Sequence, residues 1–201
     1  VAMGASAVKT QKIRLGTGVL IPSNRIAPVA ANALASLNQL APGRVDFGIG
    51  TGFTGRRAMG LGALKLAEME DYITVVRSLL AKETIESNFD GKRRKIRFLN
   101  PDAGLINTDD PIKLHVSAYG PRGRALTAKM KAGWIFFFNG IDEGISGLQD
   151  MQTSWEKVGL PKHELEATAF VLGCILQEGE RADSPRAIAQ AGPRAAVLLH
   201  R

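Results

Sequence analysis

The feature that most constrains this chain is a unit repeated five times in succession: a short apolar strand, a loop, then an amphipathic helix. Strand signals lie at "IRLGTGV" (Ile13–Val19), "VDFGIG" (Val45–Gly50), "IKLHVSA" (Ile112–Ala118), "GWIFFF" (Gly133–Phe138) and "ATAFVLGCIL" (Ala167–Leu176). Behind Pro28, residues Leu34, Leu37 and Leu40 share one helical face, and Pro42-Gly43 stops the run. Met69, Tyr72, Ile73, Val76 and Leu80 mark the next helix. "RALTAKMK" follows the third strand, and Ile145, Leu148, Met151, Trp155 and Val158 form a stripe after the fourth. After the fifth, Ser184 is placed to cap a helix that Pro185 opens. Strands alternating with helices in this way build a parallel sheet, either doubly wound or closed as a barrel.

With 201 residues, 45% apolar and 22% charged, the chain can bury one sizeable core. No stretch approaches the roughly 18 consecutive apolar residues of a membrane span, so no membrane partner is expected. The single cysteine, Cys174 in "AFVLGCIL", excludes a disulfide framework within this sequence. It reads as a buried structural thiol, and with no secretory signal ahead of the first helix a cytoplasmic location is expected. The sequence opens on Val1 inside a helical pattern and stops at Arg201 inside another, so both ends read as cut. A single domain over 1–201 is expected, with an insertion at about 85–111. That insertion holds "DGKRRKIRF", a source of the net charge of +7. Asp90-Gly91 is a type I′ turn signal, which places the bases on a solvated hairpin. No recognition helix or stacking platform accompanies them, so no nucleic-acid partner is expected.

Gly50-Thr51-Gly52-Phe53-Thr54-Gly55 fits G-x-G-x-x-G. A dinucleotide turn needs a helix at the third glycine and an acidic residue about 20 positions on, at the next strand's end. Gly60 and Gly62 interrupt the segment, so a helix is expected only near Ala63, while Glu70 and Asp71 fall inside it. The dinucleotide reading fails on context. The glycines still mark a strand's carboxyl end, where α/β sheets and barrels bind ligands. "GTGVLIPSNR", "GIGTGFTGRR" and "SAYGPRG" gather small residues and arginines at one rim, which suits an anionic cofactor.

Two blocks, Lys12–Gly60 and Ile112–Leu126, carry a specific order: strand, x-Pro-x-x-Arg-x-x-Pro, helix, Pro-Gly-Arg, glycine strand and Gly-Pro turn. In this they resemble the bacterial-luciferase-like superfamily of flavin-dependent monooxygenases and deazaflavin-dependent reductases. The resemblance implies a (β/α)₈ TIM barrel with strands three to seven represented. A complete barrel runs to about 250 residues. Five units leave two raw sheet edges, so the chain is expected to be part of a longer one or to complete its sheet with a partner.

The resemblance implies a flavin-dependent oxidoreductase: first, a monooxygenase using reduced FMN and dioxygen on a small organic substrate; second, a deazaflavin-dependent reductase transferring hydride. A non-catalytic flavin-binding protein is the third reading. A flavin reductase as partner and a homodimer are further implications. Residue by residue, it implies a cis peptide bulge at Gly18-Val19 with Leu20 next, and a phosphate grip on Ser117, Ala118, Tyr119, Gly120 and Pro121. Thr51, Gly52 and Arg56 would border the ring and ribityl chain. Phe53 stands where the family's sugar-phosphate dehydrogenases carry an acid, and Arg56 near their asparagine; their acid-assisted route is therefore not expected here. Tyr119 stands where a small residue is common. Phe53 becomes an apolar wall, and Arg57 either anchors an anionic substrate group or makes an ordinary surface ion pair.

The strand-two histidine of luciferase-type members is not in this sequence. His115 alternates with Lys113 and Ser117 and so can face the barrel interior. A packed structural role is the first reading for it and proton transfer the second. His163 and His200 signal no chemistry, and no His, Cys or carboxylate cluster has metal-ligand spacing.

Overall fold

The computed structural model describes residues 1–138, 140–170 and 173–199. In chain order the elements are α1 (Ala2–Lys9), β1 (Leu15–Gly16), α2 (Ala27–Leu40), β2 (Val45–Ile49), α3 (Phe53–Arg57), α4 (Leu66–Leu80), β3 (Ile85–Phe89), β4 (Lys92–Ile96), β5 (Lys113–Ser117), α5 (Pro121–Lys129), β6 (Gly133–Phe137), α6 (Ile141–Glu156), β7 (Ala167–Phe170) and α7 (Pro185–Leu199). β1, β2, β5, β6 and β7 pair in parallel, in that order, and β3 with β4 forms a separate antiparallel hairpin. A doubly wound sheet reverses its strand order at a switch point. Here the order never reverses, so the five strands form a curled wall of barrel type.

Side chains alternate across that wall. Leu15, Val45, Phe47, Ile49, Val116, Trp134 and Phe136 are buried with Ala30, Ala31 and Leu34 of α2, Met69, Ile73 and Val76 of α4, Leu126 of α5 and Met151 and Trp155 of α6. This convex layer is the hydrophobic core. Trp134 donates its indole N–H to the Ala118 carbonyl at 2.8 Å, which ties β6 to the end of β5. The buried Asn38 closes the bottom of α2: its amide donates to the Asn107 and Asp110 carbonyls and accepts from the Gly43 N–H. That one side chain anchors the irregular stretch that precedes β5.

Three local differences from the sequence expectation have physical causes. β1 ends at Gly16 because the Thr17 hydroxyl donates to the Gly48 carbonyl at 2.6 Å and accepts the Gly48 N–H at 3.0 Å. The chain then leaves the ladder through the cis Gly18-Val19 peptide and rejoins it where the Leu20 N–H meets Gly48 O at 2.8 Å. Secondly, a helix does follow the glycine loop at once. Gly52 takes a left-handed backbone (φ 73°) as the cap of α3, and a Cβ there would lie 2.3 Å from the Ile21 side chain. Thirdly, β7 stops at Phe170, and Val171 and Leu172 lie outside the described residues. Cys174 is only half-buried, in irregular chain beyond the strand, which corrects the expected buried thiol. His200 also lies outside the described residues.

The hairpin turns at Asp90 and Gly91, both at positive φ (51° and 68°), as a type I′ turn requires. Ser184 does cap α7, accepting the Ala187 N–H at 3.1 Å.

Tyr72 on α4 donates its hydroxyl to the Arg25 carbonyl at 2.8 Å, holding the loop after β1 against the helix layer. Burial pushes this phenol up to about 12, only partly offset by the Arg25 charge. An unfolded tyrosine ionises near 10. Between those values the unfolded chain loses a proton that the folded chain keeps, so stability falls as pH rises through this window, by about 1–2 kcal/mol in all once solvent screening of this half-buried group is allowed for. Tyr72→Phe should remove that alkaline loss while costing about 1 kcal/mol near neutrality through the missing hydrogen bond. Urea unfolding of both proteins at about pH 8 and about pH 11 measures the difference.

Candidate active site on the concave face

The inward positions of the same strands line a cavity of about 480 Å³. Gly16, Asp46, Gly48, His115, Ser117, Ile135, Phe137, Thr168 and Phe170 contribute from the strands, with Thr17, Gly18, Val19 and Tyr119 from the loops above them and Thr54 from α3. The lower part is charged. Arg14 grips Asp46 with two hydrogen bonds of 2.6 and 2.9 Å, and Lys113 pairs with Glu166. The largely buried His115 places Nε2 3.8 Å from a carboxylate oxygen of each, Asp46 and Glu166. Its Nδ1 is buried without a partner among the described residues and lies so close to Gly133 that a Cβ there would sit 2.2 Å away. A glycine on β6 is what lets the imidazole lie flat against the wall.

The upper part is apolar. Phe137 and Phe170 stack at a tilt, with ring centroids 5.3 Å apart, and Val19 and Ile135 continue the wall. At the rim, Gly120 starts α5 without any side-chain cap, with Pro121 in its first turn. The turn before it is fixed by Arg124, whose guanidinium donates to the Tyr119 carbonyl at 2.5 Å and pairs with Asp150 at 2.8 Å. The first-turn N–H groups of α5 therefore offer an anion site at the strand ends.

Of the residues singled out in the sequence, Gly18, Val19, Ser117, Tyr119 and His115 line the cavity together. Gly120 and Pro121 open α5 at the rim. Thr51 accepts the Leu64 N–H, Gly52 caps α3, and Arg56 donates Nε–H to the Gly62 carbonyl at 2.5 Å, so these three shape the lip. Leu20 packs toward the core and Ala118 is buried on the convex side, so neither side chain reaches the cavity. Phe53 stands exposed on α3 with the Arg57 guanidinium 4.9 Å from its ring centroid. Arg57 thus makes a stacking contact in place of a surface ion pair. Asp46, Ile135, Phe137, Thr168 and Phe170 escaped the sequence reading. Period-two alternation groups Ile135 with Phe137 opposite Trp134 and Phe136, but both sets are apolar and the sequence does not say which faces inward.

The residues present fit a flat tricyclic coenzyme with a phosphate tail. Added Cβ atoms at Gly18 and Gly120 would meet nothing within 4 Å, and neither glycine has a positive φ. Gly18 opens the cis peptide and Gly120 is the N-cap of α5, and both leave space that no protein atom fills.

A sequence profile described as luciferase-like monooxygenase matches residues 1–199. The F420-dependent glucose-6-phosphate dehydrogenase of Beutenbergia cavernae is 35% identical over 141 residues, covering 66% of this chain and 40% of that protein. The 5,10-methylenetetrahydromethanopterin reductase of Methanolobus tindarius is 26% identical over 180 residues, covering 89% of this chain and 53% of that protein. Among solved structures, the monooxygenase RslO1 from Streptomyces bottropensis superposes with a TM-score of 0.73 at 21% identity, over 96% of this chain and 58% of that one. The coenzyme F420-dependent tetrahydromethanopterin reductase from Methanopyrus kandleri gives 0.65 at 18% identity, over 84% and 52%. The chain thus spans about half the length of these proteins.

The junction of β1 and β2 is the most crowded point beneath the site. A Cβ at Gly48 would lie 1.9 Å from the Thr17 carbonyl oxygen, a backbone atom that cannot swing aside. Gly48→Ala is expected to cost about 3 kcal/mol, whereas Gly62→Ala, where a Cβ meets nothing within 4 Å, should stay within about 0.5 kcal/mol of the parent. Denaturant midpoints of the two variants check the contrast.

Proposed function

Because the chain belongs to the luciferase-like monooxygenase family, we propose that its concave face binds a flavin-type coenzyme, F420 before FMN, for hydride transfer with a small organic substrate. The observation that carries this is the cavity at the strand ends, where Gly18, Val19, Ser117 and Tyr119 meet an apolar wall of Ile135, Phe137 and Phe170. The order of the two coenzymes rests on sequence: the relatives at 35% and 26% identity include an F420-dependent dehydrogenase and a methylene-tetrahydromethanopterin reductase. The monooxygenase reading with reduced FMN and dioxygen uses the same cradle and stands second.

A bound deazaflavin supplies a two-electron hydride carrier; the protein supplies position and surroundings. Val19, Ile135, Phe137 and Phe170 present an apolar surface that excludes water from one side of the cavity. Ser117 offers a hydroxyl above the charged floor. The uncapped start of α5 receives a phosphate through backbone N–H groups, with Arg122 next to it in sequence. The paired charges at the floor hold His115 in place between two carboxylates.

Titrating the purified chain with F420 and separately with FMN, followed by coenzyme fluorescence, tests the proposal. Saturable quenching by F420 at micromolar concentration is expected. Binding of FMN alone would promote the second reading, and binding of neither would remove both. Gly120→Ala should weaken coenzyme binding about tenfold, a loss of about 1.4 kcal/mol. Its melting temperature should stay near that of the parent, because the methyl group meets no protein atom.

A further inference from the structure

The lip of the cavity carries a second feature besides the apolar wall and the start of α5. α3 is clamped: the Ile21 side chain fills the space beneath Gly52 and Gly55, where Cβ atoms would fall within 2.3 and 2.8 Å of it. Behind the helix, the Leu61 N–H donates to the Arg56 carbonyl at 2.9 Å. Thr54 on this helix lines the cavity, and Arg57 follows three residues later on the neighbouring part of the same face. Both arginines are immobilised by groups that are not acids. Arg57 lies over Phe53 at 4.9 Å, and Arg56 is held through Nε by the Gly62 carbonyl, which leaves its two terminal nitrogens unengaged by that bond. No ion pair links either guanidinium to a carboxylate among the described residues. Phe53 itself is 55% exposed, so its ring serves the arginine and not the core.

Fixing both arginine side chains in advance lowers the entropy lost when a ligand is bound. Cations ordered by neutral partners beside a cavity mouth are what a bidentate oxyanion contact requires. Resting on the reading of the cavity as a coenzyme site, we infer that the substrate carries an oxyanion, carboxylate or phosphate, and that Arg57 with Arg56 receives it at the lip. Phe53 acts as a positioning residue through Arg57.

The test is made on the whole coenzyme-free chain, titrated with inorganic phosphate and separately with acetate at constant ionic strength. Arginine Nε–H resonances are followed by NMR. The signals of Arg56 and Arg57 should shift saturably while that of Arg25, another exposed rim arginine, should not. Arg57→Gln should weaken the response of Arg56 at least tenfold, and Phe53→Leu, which keeps the apolar bulk without the ring face, several-fold. Lower half-saturation with phosphate marks a phosphorylated substrate, and with acetate a carboxylate. Shifts that never saturate, that appear equally at Arg25, or that survive Arg57→Gln overturn the inference. So does a response confined to Arg122, which would speak for the coenzyme phosphate site alone. Failure of F420 and FMN to bind would remove the coenzyme reading and leave this result standing.

Discussion

Between β1 and β2 the Thr17 hydroxyl takes the place of a peptide unit. It satisfies both the N–H and the carbonyl of Gly48 at 3.0 and 2.6 Å, so Gly18 and Val19 can leave the ladder after the Thr17 N–H has made its bond to the Asp46 carbonyl. That release is what lets the chain turn through Gly18 and Val19 into the cavity before Leu20 rejoins the sheet. It depends on Gly48, since any side chain there would collide with the Thr17 carbonyl. The bulge, the open position at Gly18 and the apolar contribution of Val19 all follow from this one exchange of partners.

The rest of the site is a consequence of strand periodicity. Successive residues point to opposite faces, so the strands that bury Val45, Phe47, Val116 and Trp134 against helices must present Asp46, Gly48, His115, Ser117 and Ile135 on the other side. The convex face is sealed by α2, α4, α5 and α6. The concave face is where the chain can place groups that its core would not tolerate. Arg14–Asp46 and Lys113–Glu166 therefore lie at the floor of the curl, while Arg124–Asp150 and Lys129–Glu70 join the outer helices at their exposed edges.

This division also explains what was legible in the sequence. The five strand–helix units could be read because each helix carries a complete apolar stripe, as in Met69, Ile73 and Val76. The rim residues could be read because glycines, a Gly-Pro turn and arginines sit at fixed positions after the strands. The inner wall was less legible: in "GWIFFF" both faces are apolar, and composition alone cannot say which phenylalanine looks inward. The α3 turn escaped because its capping conformation is set by the Ile21 side chain, thirty-one residues from Gly52. Cys174 was misplaced for a related reason, since an apolar run is a strand only where a neighbour pairs with it, and residues 173–177 are irregular.

Charge is distributed along the cavity in a graded way. At the floor two carboxylates, Asp46 and Glu166, face two permanent cations, Arg14 and Lys113, and the four cancel. The middle, from Val19 to Phe137 and Phe170, carries no formal charge. At the lip the charges are positive and held by a ring and a carbonyl, not by acids. An anionic molecule thus meets attraction only at the mouth, while an apolar portion finds its favourable surface below. Such a gradient orients a ligand before any specific contact forms, because the anionic end gains nothing by descending and the apolar end gains nothing by staying at the rim. The basic residues of the hairpin, a large part of the +7 net charge, lie outside this gradient on a separate two-stranded ribbon that does not join the parallel sheet.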